Sequence, residues 1–426
     1  MPAPAQPHRV AIIGGNRTPF CRAYSDFAEA DNIALLTAAL SGLVERFSLH
    51  GQTIGEVQGG AVLKHSWDFN LAREAVLSSG LAAETPSTDV QMACGTGLQA
   101  ALNLAGKIAC GQIESAIACG VDSISQRPIT MSDALYQELV THGPKTPSAI
   151  EILNLLQNDQ TLAAAKVPGV DERRTGKSMG LHCEEMIEQW GITRAEQDQL
   201  AQQSHQNLAQ SLNDGFHDDL ITECLGANAD NNLRPDVSLE KLGTLKTVFQ
   251  ADGSVTAGNA SAFTDGAAAV LMGTEAWAKE QGLPVLAYLS FGKTAAVRFE
   301  DGHEGLLLAP AYAVSQMLQD ANLSLQDFDY YEIHEAFAGQ VLCTLKAWED
   351  ETFCQQRLGR DTALGAIDRS KLNVHGSSLA AGHPFAATGA RIVPVLAKLL
   401  ANKGQGRGLI SICTAGGMGV TAILER

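Results

Sequence analysis

The sequence has no apolar run long enough to cross a membrane. A spanning helix needs roughly 18 to 20 consecutive apolar residues. The longer apolar stretches, such as residues 392–401, are shorter and are interrupted by Pro394 and Lys398. Residues 3–9 are polar and lack the apolar core of a secretory signal. We therefore expect a cytoplasmic protein without a transmembrane segment.

Basic residues are also scarce. The chain has 30 Lys and Arg against 47 Asp and Glu, which gives a formal net charge of -17. Such a field opposes general affinity for nucleic acid or anionic lipid. We expect no nucleic-acid partner, and any anionic ligand must be met by a local basic cluster.

Paired cysteines are missing as well. The nine cysteines are an odd number, and no two of them form a C-x-x-C pair. This argues against a disulfide framework and against a zinc site. We predict reduced thiols, most of them buried packing residues, and no permanently bound metal or cofactor.

The 426 residues contain a clear α/β rhythm in which short apolar runs alternate with helical periodicity. Helices are predicted at residues 33–47, after Gly95, at 194–214 and at 388–402. Strands are predicted at residues 10–13, 57–62, 89–92, 116–118, 267–272, 286–290, 330–334 and 409–413. This length and pattern predict a layered α/β protein of two or three domains.

The rhythm breaks between residues 126 and 250, where prolines and charged clusters are frequent. We predict an N-terminal half formed by residues 1–125 plus 251–280, an inserted loop subdomain at 126–250, and a C-terminal half at 281–426. Cys94 and His383 each precede a small-residue helix, and each is followed by a strand ending in Ala-Cys-Gly or Ile-Cys-Thr. This echo favours an internal duplication.

Several motifs occur together, in an order and spacing that resemble those of the thiolase family. They are Gln-Met-Ala-Cys-Gly-Thr-Gly (91–97), His-Glu-Ala-Phe-Ala (334–338), Gly-His-Pro-Phe-Ala-Ala-Thr-Gly-Ala (382–390) and Cys-Thr-Ala-Gly-Gly-Met-Gly (413–419). Residues 256–269 are similar to the family's loop and strand over the cofactor, and the resemblance extends from residue 11 to the C-terminus. It implies the thiolase fold: two duplicated βαβαβαββ-type halves in an α-β-α-β-α arrangement.

Cys94 lies between a predicted strand and a predicted helix, where the helix dipole and free N–H groups favour a thiolate. This is a suitable position for a nucleophile. His383, in a Gly-His-Pro loop, is suited to take the thiol proton. A cysteine or histidine without such motifs around it is more often a packing or structural residue.

Cys413 ends a predicted strand before a glycine-rich loop, and the resemblance implies that it is the acid and base at the α-carbon. His334 departs from the Asn-Glu-Ala-Phe of many thiolases and resembles the variant of long-chain β-oxidation thiolases, including subunits of trifunctional complexes. It can still donate a hydrogen bond to an enolate oxygen beside His383. The resemblance places the backbone N–H groups of Cys94 and Ala415 in a second oxyanion hole.

Contacts to coenzyme A are implied by family matching. Arg234 corresponds to a position that meets the nucleotide, and Ser261 to one near the pantetheine arm. Met179 and Phe249 are predicted to line the same groove, although ordinary core packing explains them equally well.

Three other functions compete with this interpretation. A nicotinamide-dependent dehydrogenase is suggested by the strand and glycines at residues 12–15, but the G-x-G-x-x-G spacing is missing. A carbon-chain condensing enzyme of the same fold would not need Cys413. A non-catalytic lipid carrier should lose a catalytic residue, whereas Cys94, His383 and Cys413 are all present.

The resemblance implies a 3-ketoacyl-CoA thiolase, an acyltransferase with coenzyme A as substrate that cleaves 3-ketoacyl-CoA to acetyl-CoA and a shorter acyl-CoA in fatty-acid β-oxidation. The alternative is an acetoacetyl-CoA-forming acetyltransferase, since the reaction runs both ways. A homodimer or homotetramer and a β-oxidation partner subunit are further expectations. Residues 131–162 are predicted to form an acyl-pocket wall, a docking surface or subdomain core.

Overall fold

The computed structural model describes residues 7–142, 148, 150–151, 154, 157, 165–166 and 169–426. Within the predicted wall at 131–162, residues 143–147, 149, 152–153, 155–156 and 158–162 therefore lie outside the described residues. No helix within the described ranges is long and apolar enough to cross a bilayer.

The strands form one continuous path whose order is β10-β11-β12-β9-β1-β8-β5-β3-β4, with β2 paired to β8 and a separate β6-β7 pair. Their bounds are β1 Val10–Arg17, β2 Cys21–Arg22, β3 Glu56–Gly59, β4 Ser87–Asp89, β5 Ser115–Asp122, β6 Thr130–Met131, β7 Ala165–Lys166, β8 Thr264–Thr274, β9 Ala287–Ala296, β10 Tyr330–Ile333, β11 Arg407–Thr414 and β12 Met418–Glu425.

The helices alternate with these strands. In the N-terminal part they are α1 Asn32–Arg46, α2 Leu71–Ser78, α3 Thr96–Ala109 and α4 Asp133–His142. The rest are α5 Met179–Trp190, α6 Arg194–Asn213, α7 Leu239–Gly243, α8 Glu275–Glu280, α9 Ala309–Ala321, α10 Ala338–Glu349, α11 Glu351–Gln356, α12 Ser378–Ala381 and α13 Ala387–Lys403. The α/β class is confirmed.

The two halves of the path repeat one topology, which confirms the predicted duplication. In the first half β3 is parallel to β5, β5 is antiparallel to β8, and β8 is antiparallel to β1. In the second half β10 is parallel to β11, β11 is antiparallel to β12, and β12 is antiparallel to β9. The strand β5 therefore corresponds to β11. The exact domain boundaries remain a prediction.

Helices α3 and α13 form the central layer. Their apolar faces pack between the inward residues of both half-sheets, such as Ala118 of β5 and Ile412 of β11. The opposite face of the first half-sheet packs on α1 and α2, and that of the second packs on α9 and α10. This is the predicted α-β-α-β-α arrangement.

The two central helices approach each other at paired glycines. A Cβ on Gly97 would lie 2.6 Å from the backbone N of Ala390, and one on Gly389 would lie 2.2 Å from the backbone N of Leu98. The amide of Gly97 donates to the carbonyl of Ala386 at 3.1 Å. Because both helices begin just after a candidate reactive residue, this crossing brings Cys94 and His383 together.

Candidate active site

Cys94 lies in the tight turn between β4 and α3. Ala93 before it adopts a left-handed φ of 44°, a conformation that costs free energy for a residue with a side chain. The hydroxyl of Thr96 stabilises the turn, since it donates to the carbonyl of Ala93 at 2.7 Å and accepts from the amide of Met92 at 2.9 Å. The Cys94 side chain is partly exposed and lines a cavity.

The charge state of Cys94 depends on burial as well as on the start of the helix. Burial raises the pKa of the Cys94 thiol to about 12, the backbone N–H of Ala415 lowers it, and Asp122 raises it again. The loss of hydration outweighs the favourable N–H groups. The resting side chain is therefore a thiol that needs a base, which is the role predicted for His383.

His383 is held between a short helix and α13. Gly382 before it has a φ of 100°, and a Cβ there would lie 2.5 Å from Thr264. The amide of His383 donates to Thr264 Oγ1 at 2.7 Å, and its Nδ1 pairs with Thr388 Oγ1 at 2.6 Å. Burial, reinforced by the positive charge of Arg391, lowers the pKa of His383 to about 3, so the ring is neutral.

His334 follows β10 and is fully buried. Its amide donates to the carbonyl of Ser411 at 2.9 Å, and its Nδ1 pairs with Ser378 Oγ at 2.8 Å. Burial, with His383 and Arg391 nearby, holds the pKa of His334 well below its usual range. The Nε2 atoms of His334 and His383 are both buried and have no hydrogen-bond partner among the described residues.

The thiol and the two imidazoles form one cluster. One ligand atom from each of Cys94, His334 and His383 lies within 4.8 Å of the others, and the two rings are 4.1 Å apart. A thiol with two imidazole nitrogens is a donor set that suits a soft divalent metal ion. The same atoms are arranged for proton transfer between a thiol and a neutral imidazole.

Cys413 lies at the C-terminal end of β11 and is buried. Burial raises the pKa of its thiol well above the usual value, and the nearby Cys94 raises it further. Gly416 and Gly417 continue the chain with positive φ angles of 79° and 66°. Cys413 is therefore a neutral acid beside the predicted nucleophile.

A cavity of about 480 Å³ joins Cys94, His383 and Cys413, whereas the buried His334 lies behind them and is not among the lining residues. Seven residues predicted from the sequence line it: Cys94, Met179, Phe249, Ser261, His383, Cys413 and Ala415. The cavity also has aromatic walls that the sequence analysis missed, formed by Phe263, Phe337 and Phe385. Such a mainly apolar cleft with few polar groups is typical of a small-molecule site.

Arg234 is exposed and is not among the residues that line the cavity. Its guanidinium donates to the backbone carbonyls of Asn231 and Leu233 at 3.2 and 2.9 Å. Arg22, which the sequence analysis did not single out, does line the cavity and donates from Nε to Asn232 Oδ1 at 2.9 Å. Burial lowers the pKa of Arg22, and the positive charge of the nearby Arg234 lowers it further, so the two arginines form a local basic cluster.

Polar residues behind the site were also missed. Asn373 accepts from the amide of Ile333 at 2.9 Å and donates to Glu335 Oε1 at 2.7 Å, which fixes the segment around His334. Ser378 and Thr388 hold the two imidazoles. The only signal in the sequence was their closeness to the Gly-His-Pro motif.

Comparison with protein families supports this geometry. Residues 10–276 match the model of the thiolase N-terminal domain, and residues 283–426 match that of the thiolase C-terminal domain. A Vibrio cholerae protein named 3-ketoacyl-CoA thiolase is 39% identical over 425 residues, covering 98% of this chain and 97% of that protein. A Yersinia pestis protein of the same name is 39% identical over 430 residues, covering 99% and 97%.

Two solved structures share the fold. The Bacillus anthracis acetyl-CoA acetyltransferase superposes with a TM-score of 0.80 at 29% identity, over 99% of both chains. The human mitochondrial 3-ketoacyl-CoA thiolase superposes with a TM-score of 0.78 at 28% identity, over 98% of both chains. The chain thus belongs to the thiolase family of acyltransferases.

Proposed function

We propose that this protein is a 3-ketoacyl-CoA thiolase that cleaves its substrate with coenzyme A in fatty-acid β-oxidation. The observation that supports this most is the cluster of Cys94, His334 and His383 at a cavity that Cys413 also lines. The names of the Vibrio and Yersinia relatives support the same substrate, and the histidine at position 334 favours the degradative direction.

The first step is attack of Cys94 on the keto carbon. The thiol is protonated at rest because its pKa is raised to about 12, so a base must remove the proton as the C–S bond forms. His383 is neutral, and its Nε2 has no hydrogen-bond partner within the part of the chain that the structure describes, which makes it that base. The oxyanion that develops is stabilised by the backbone N–H groups of Cys94 and Ala415.

The second step breaks the carbon–carbon bond. The electron pair of that bond passes to acetyl-CoA, which leaves as an enolate, and the acyl group stays on Cys94. His334 and His383 donate hydrogen bonds to the enolate oxygen, and Cys413 gives a proton to the carbon. The thiol of a second coenzyme A then attacks the Cys94 thioester and releases the shortened acyl-CoA.

Binding of coenzyme A follows from the shape and charge of the cavity. Met179 and Phe249 line it beside Ser261, a combination that suits an arm with both apolar and amide groups. The Arg22 and Arg234 cluster supplies the positive charge that an anionic nucleotide needs within a chain of net charge -17. No other cofactor is needed for this reaction.

The N-terminal half presents a surface for self-association. Strand β4 is at the end of the strand path, and the adjoining segment exposes Trp67 and Phe69 at 72% and 83%. Asn70 of that segment donates to the Ser87 carbonyl of β4 at 3.1 Å. Open edge strands with apolar neighbours favour pairing between chains, so we infer a homodimer or a larger homo-oligomer, to be tested by light scattering.

All nine cysteines are unpaired, which supports a reducing compartment and hence the cytoplasm. Cell fractionation tests this location.

A partner subunit of a β-oxidation complex would be found by co-purification with the protein from its own cells.

The function itself is tested with acetyl-CoA labelled in the acetyl group. The label should become bound to Cys94. Without coenzyme A, acetoacetyl-CoA or a longer 3-ketoacyl-CoA should be consumed only to about one equivalent per active site, and turnover should continue only when coenzyme A is present. The kinetics should be ping-pong. Stoichiometric binding of acyl-CoA without label on Cys94 would instead identify a lipid carrier.

A further inference from the structure

A chain of buried hydrogen bonds runs from α13 to His334. Arg391 Nη2 donates to Ser377 Oγ at 3.0 Å and to Ser378 Oγ at 3.3 Å. Ser378 Oγ lies 2.8 Å from His334 Nδ1. Arg391, Ser378 and His334 are exposed by 4%, 0% and 0%, so water does not compete for these bonds.

The direction of the bonds follows from what each group can donate. A guanidinium only donates hydrogen bonds, so the oxygen of Ser378 accepts from Arg391. The hydroxyl hydrogen of Ser378 then has His334 Nδ1 as its acceptor. An Nδ1 that accepts is unprotonated, and the single proton of a neutral imidazole must then be on Nε2. The other tautomer would leave the Ser378 hydrogen without an acceptor in a buried site, which is costly.

We propose that Ser378, oriented by Arg391, holds His334 in the Nε2–H tautomer so that this side chain can donate to the enolate oxygen. Ser378 and Arg391 are thus positioning residues for the reaction. The proposal rests on the oxyanion role given to His334 in the proposed function. The free Nε2 of His334 is the atom that this tautomer turns into a donor.

The need for a neighbour that fixes the tautomer arises only when position 334 is histidine. A side-chain amide, as in the asparagine of many thiolases, carries its N–H donors in every state and needs no neighbour to choose a tautomer. A histidine without a fixed partner would present a lone pair to the negative oxygen for part of the time. The serine at position 378 therefore matters only while position 334 is histidine.

The tautomer is measured by NMR of protein labelled with ¹⁵N-histidine, with the His334 signals assigned from a His334→Asn sample. The wild-type protein should show a protonated Nε2 and an unprotonated Nδ1, and Ser378→Ala should show both tautomers. Ser377→Ala is the matched control, because Ser377 also accepts from Arg391 whereas the hydrogen bond to His334 Nδ1 comes from Ser378, and it should keep the Nε2–H tautomer. An unchanged His334 spectrum in Ser378→Ala overturns the proposal.

Kinetics test the functional part. Ser378→Ala should lower kcat for thiolysis about 10- to 100-fold with little change in KM, since one oxyanion donor is weakened. The same change in a His334→Asn background should cost less than about twofold. Equal losses in both backgrounds would overturn the proposal. If Cys94 also fails to take label from acetyl-CoA in the wild-type protein, the proposed function fails first, and the NMR result still decides the tautomer.

Discussion

Two strands at equivalent places in the duplicated fold carry a cysteine near their C-terminal ends, and of the two only Cys413 lines the cavity. Cys119 of β5 and Cys413 of β11 are both buried, and burial raises the pKa of both thiols. Cys413 lines the cavity beside Cys94. Cys119 packs in the outer layer under α1 and donates weakly to the carbonyl of Gln58 at 3.6 Å.

The comparison shows that the surroundings of Cys119 and Cys413, rather than their equivalent positions in the two strands, decide which thiol is accessible from the cavity. A Cβ on Gly59 would lie 2.3 Å from the sulfur of Cys119, so the neighbouring strand covers that thiol. In the second half the chain after Cys413 turns away through two glycines with positive φ and leaves the sulfur at the cavity wall. The duplication thus contains two similar cysteine positions, and in the proposed mechanism only the uncovered Cys413 can act as the acid.

The largest effect should come from substitution of Cys94, in the turn before α3. Cys94→Ala removes the nucleophile, so we expect both acyl labelling and thiolysis to fall by about four orders of magnitude or more. His383→Ala, at the equivalent place before α13, should also block turnover because the Cys94 thiol is then left protonated. Labelling by acetyl-CoA and loss of acetoacetyl-CoA measure the two steps. Retained labelling in Cys94→Ala would place the acyl group on another residue.

The two strand-end cysteines allow the sharpest test of the comparison. Cys413→Ala should lower thiolysis about 10² to 10⁴-fold while labelling of Cys94 persists, because only the carbon–carbon step needs a proton at carbon. Cys119→Ala is the matched control. It should keep turnover and cost about 1 kcal/mol of unfolding free energy from lost burial.

These variants are compared by steady-state thiolysis, burst labelling and urea unfolding. Near wild-type cleavage by Cys413→Ala would make Cys413 a packing residue like Cys119. A loss of turnover in a folded Cys119→Ala protein would contradict the division between the halves.

Much of the fold was predictable because its strands are short apolar runs with clear ends. The prediction placed β1, β5, β8 and β11 within the observed strands, although β3 ends at Gly59 rather than at residue 62. Strand β12 was missed because Met418–Glu425 follows a glycine loop without a separate turn signal. Helices α9 and α10 were not singled out either.

The candidate site was predictable only where a motif marked the residue. Cys94, His383 and Cys413 each belong to one, whereas Arg22 is a single arginine outside these motifs and was missed. The role proposed for Ser378 and Arg391 depends on contacts of α12 and α13 with His334 after β10, which is distant from them in sequence. The size of the pKa shift of Cys94 could not be predicted, because helix-end N–H groups are visible in a sequence, whereas loss of hydration depends on the packed cavity.

The pH dependence of alkylation tests the protonation state of the Cys94 thiol. If the pKa of the Cys94 thiol is raised to about 12 by burial, its thiolate fraction grows about tenfold per pH unit up to that value. Iodoacetamide should therefore modify Cys94 at a rate that rises continuously between pH 6 and pH 10. Mass spectrometry of the Cys94 peptide measures it, with the exposed Cys110 as internal reference. A plateau between pH 6 and pH 8 would reveal a preformed thiolate instead.

The smallest predicted effects concern the crossing where the two halves meet. Gly389→Ala places a Cβ 2.2 Å from the backbone N of Leu98. The backbone must move to relieve this contact, so we expect a loss of about 1 to 3 kcal/mol of unfolding free energy. Gly106→Ala, in the interior of α3, meets nothing within 4 Å and should gain about 0.5 to 1 kcal/mol, because alanine restricts the unfolded chain and favours the helix. Since the crossing also sets the separation of Cys94 and His383, Gly389→Ala should lower turnover in protein that is still folded, whereas Gly106→Ala should not. Urea unfolding and thiolysis of both variants decide this, and equal stability of the two would mean that the glycines at the crossing are not needed for close contact.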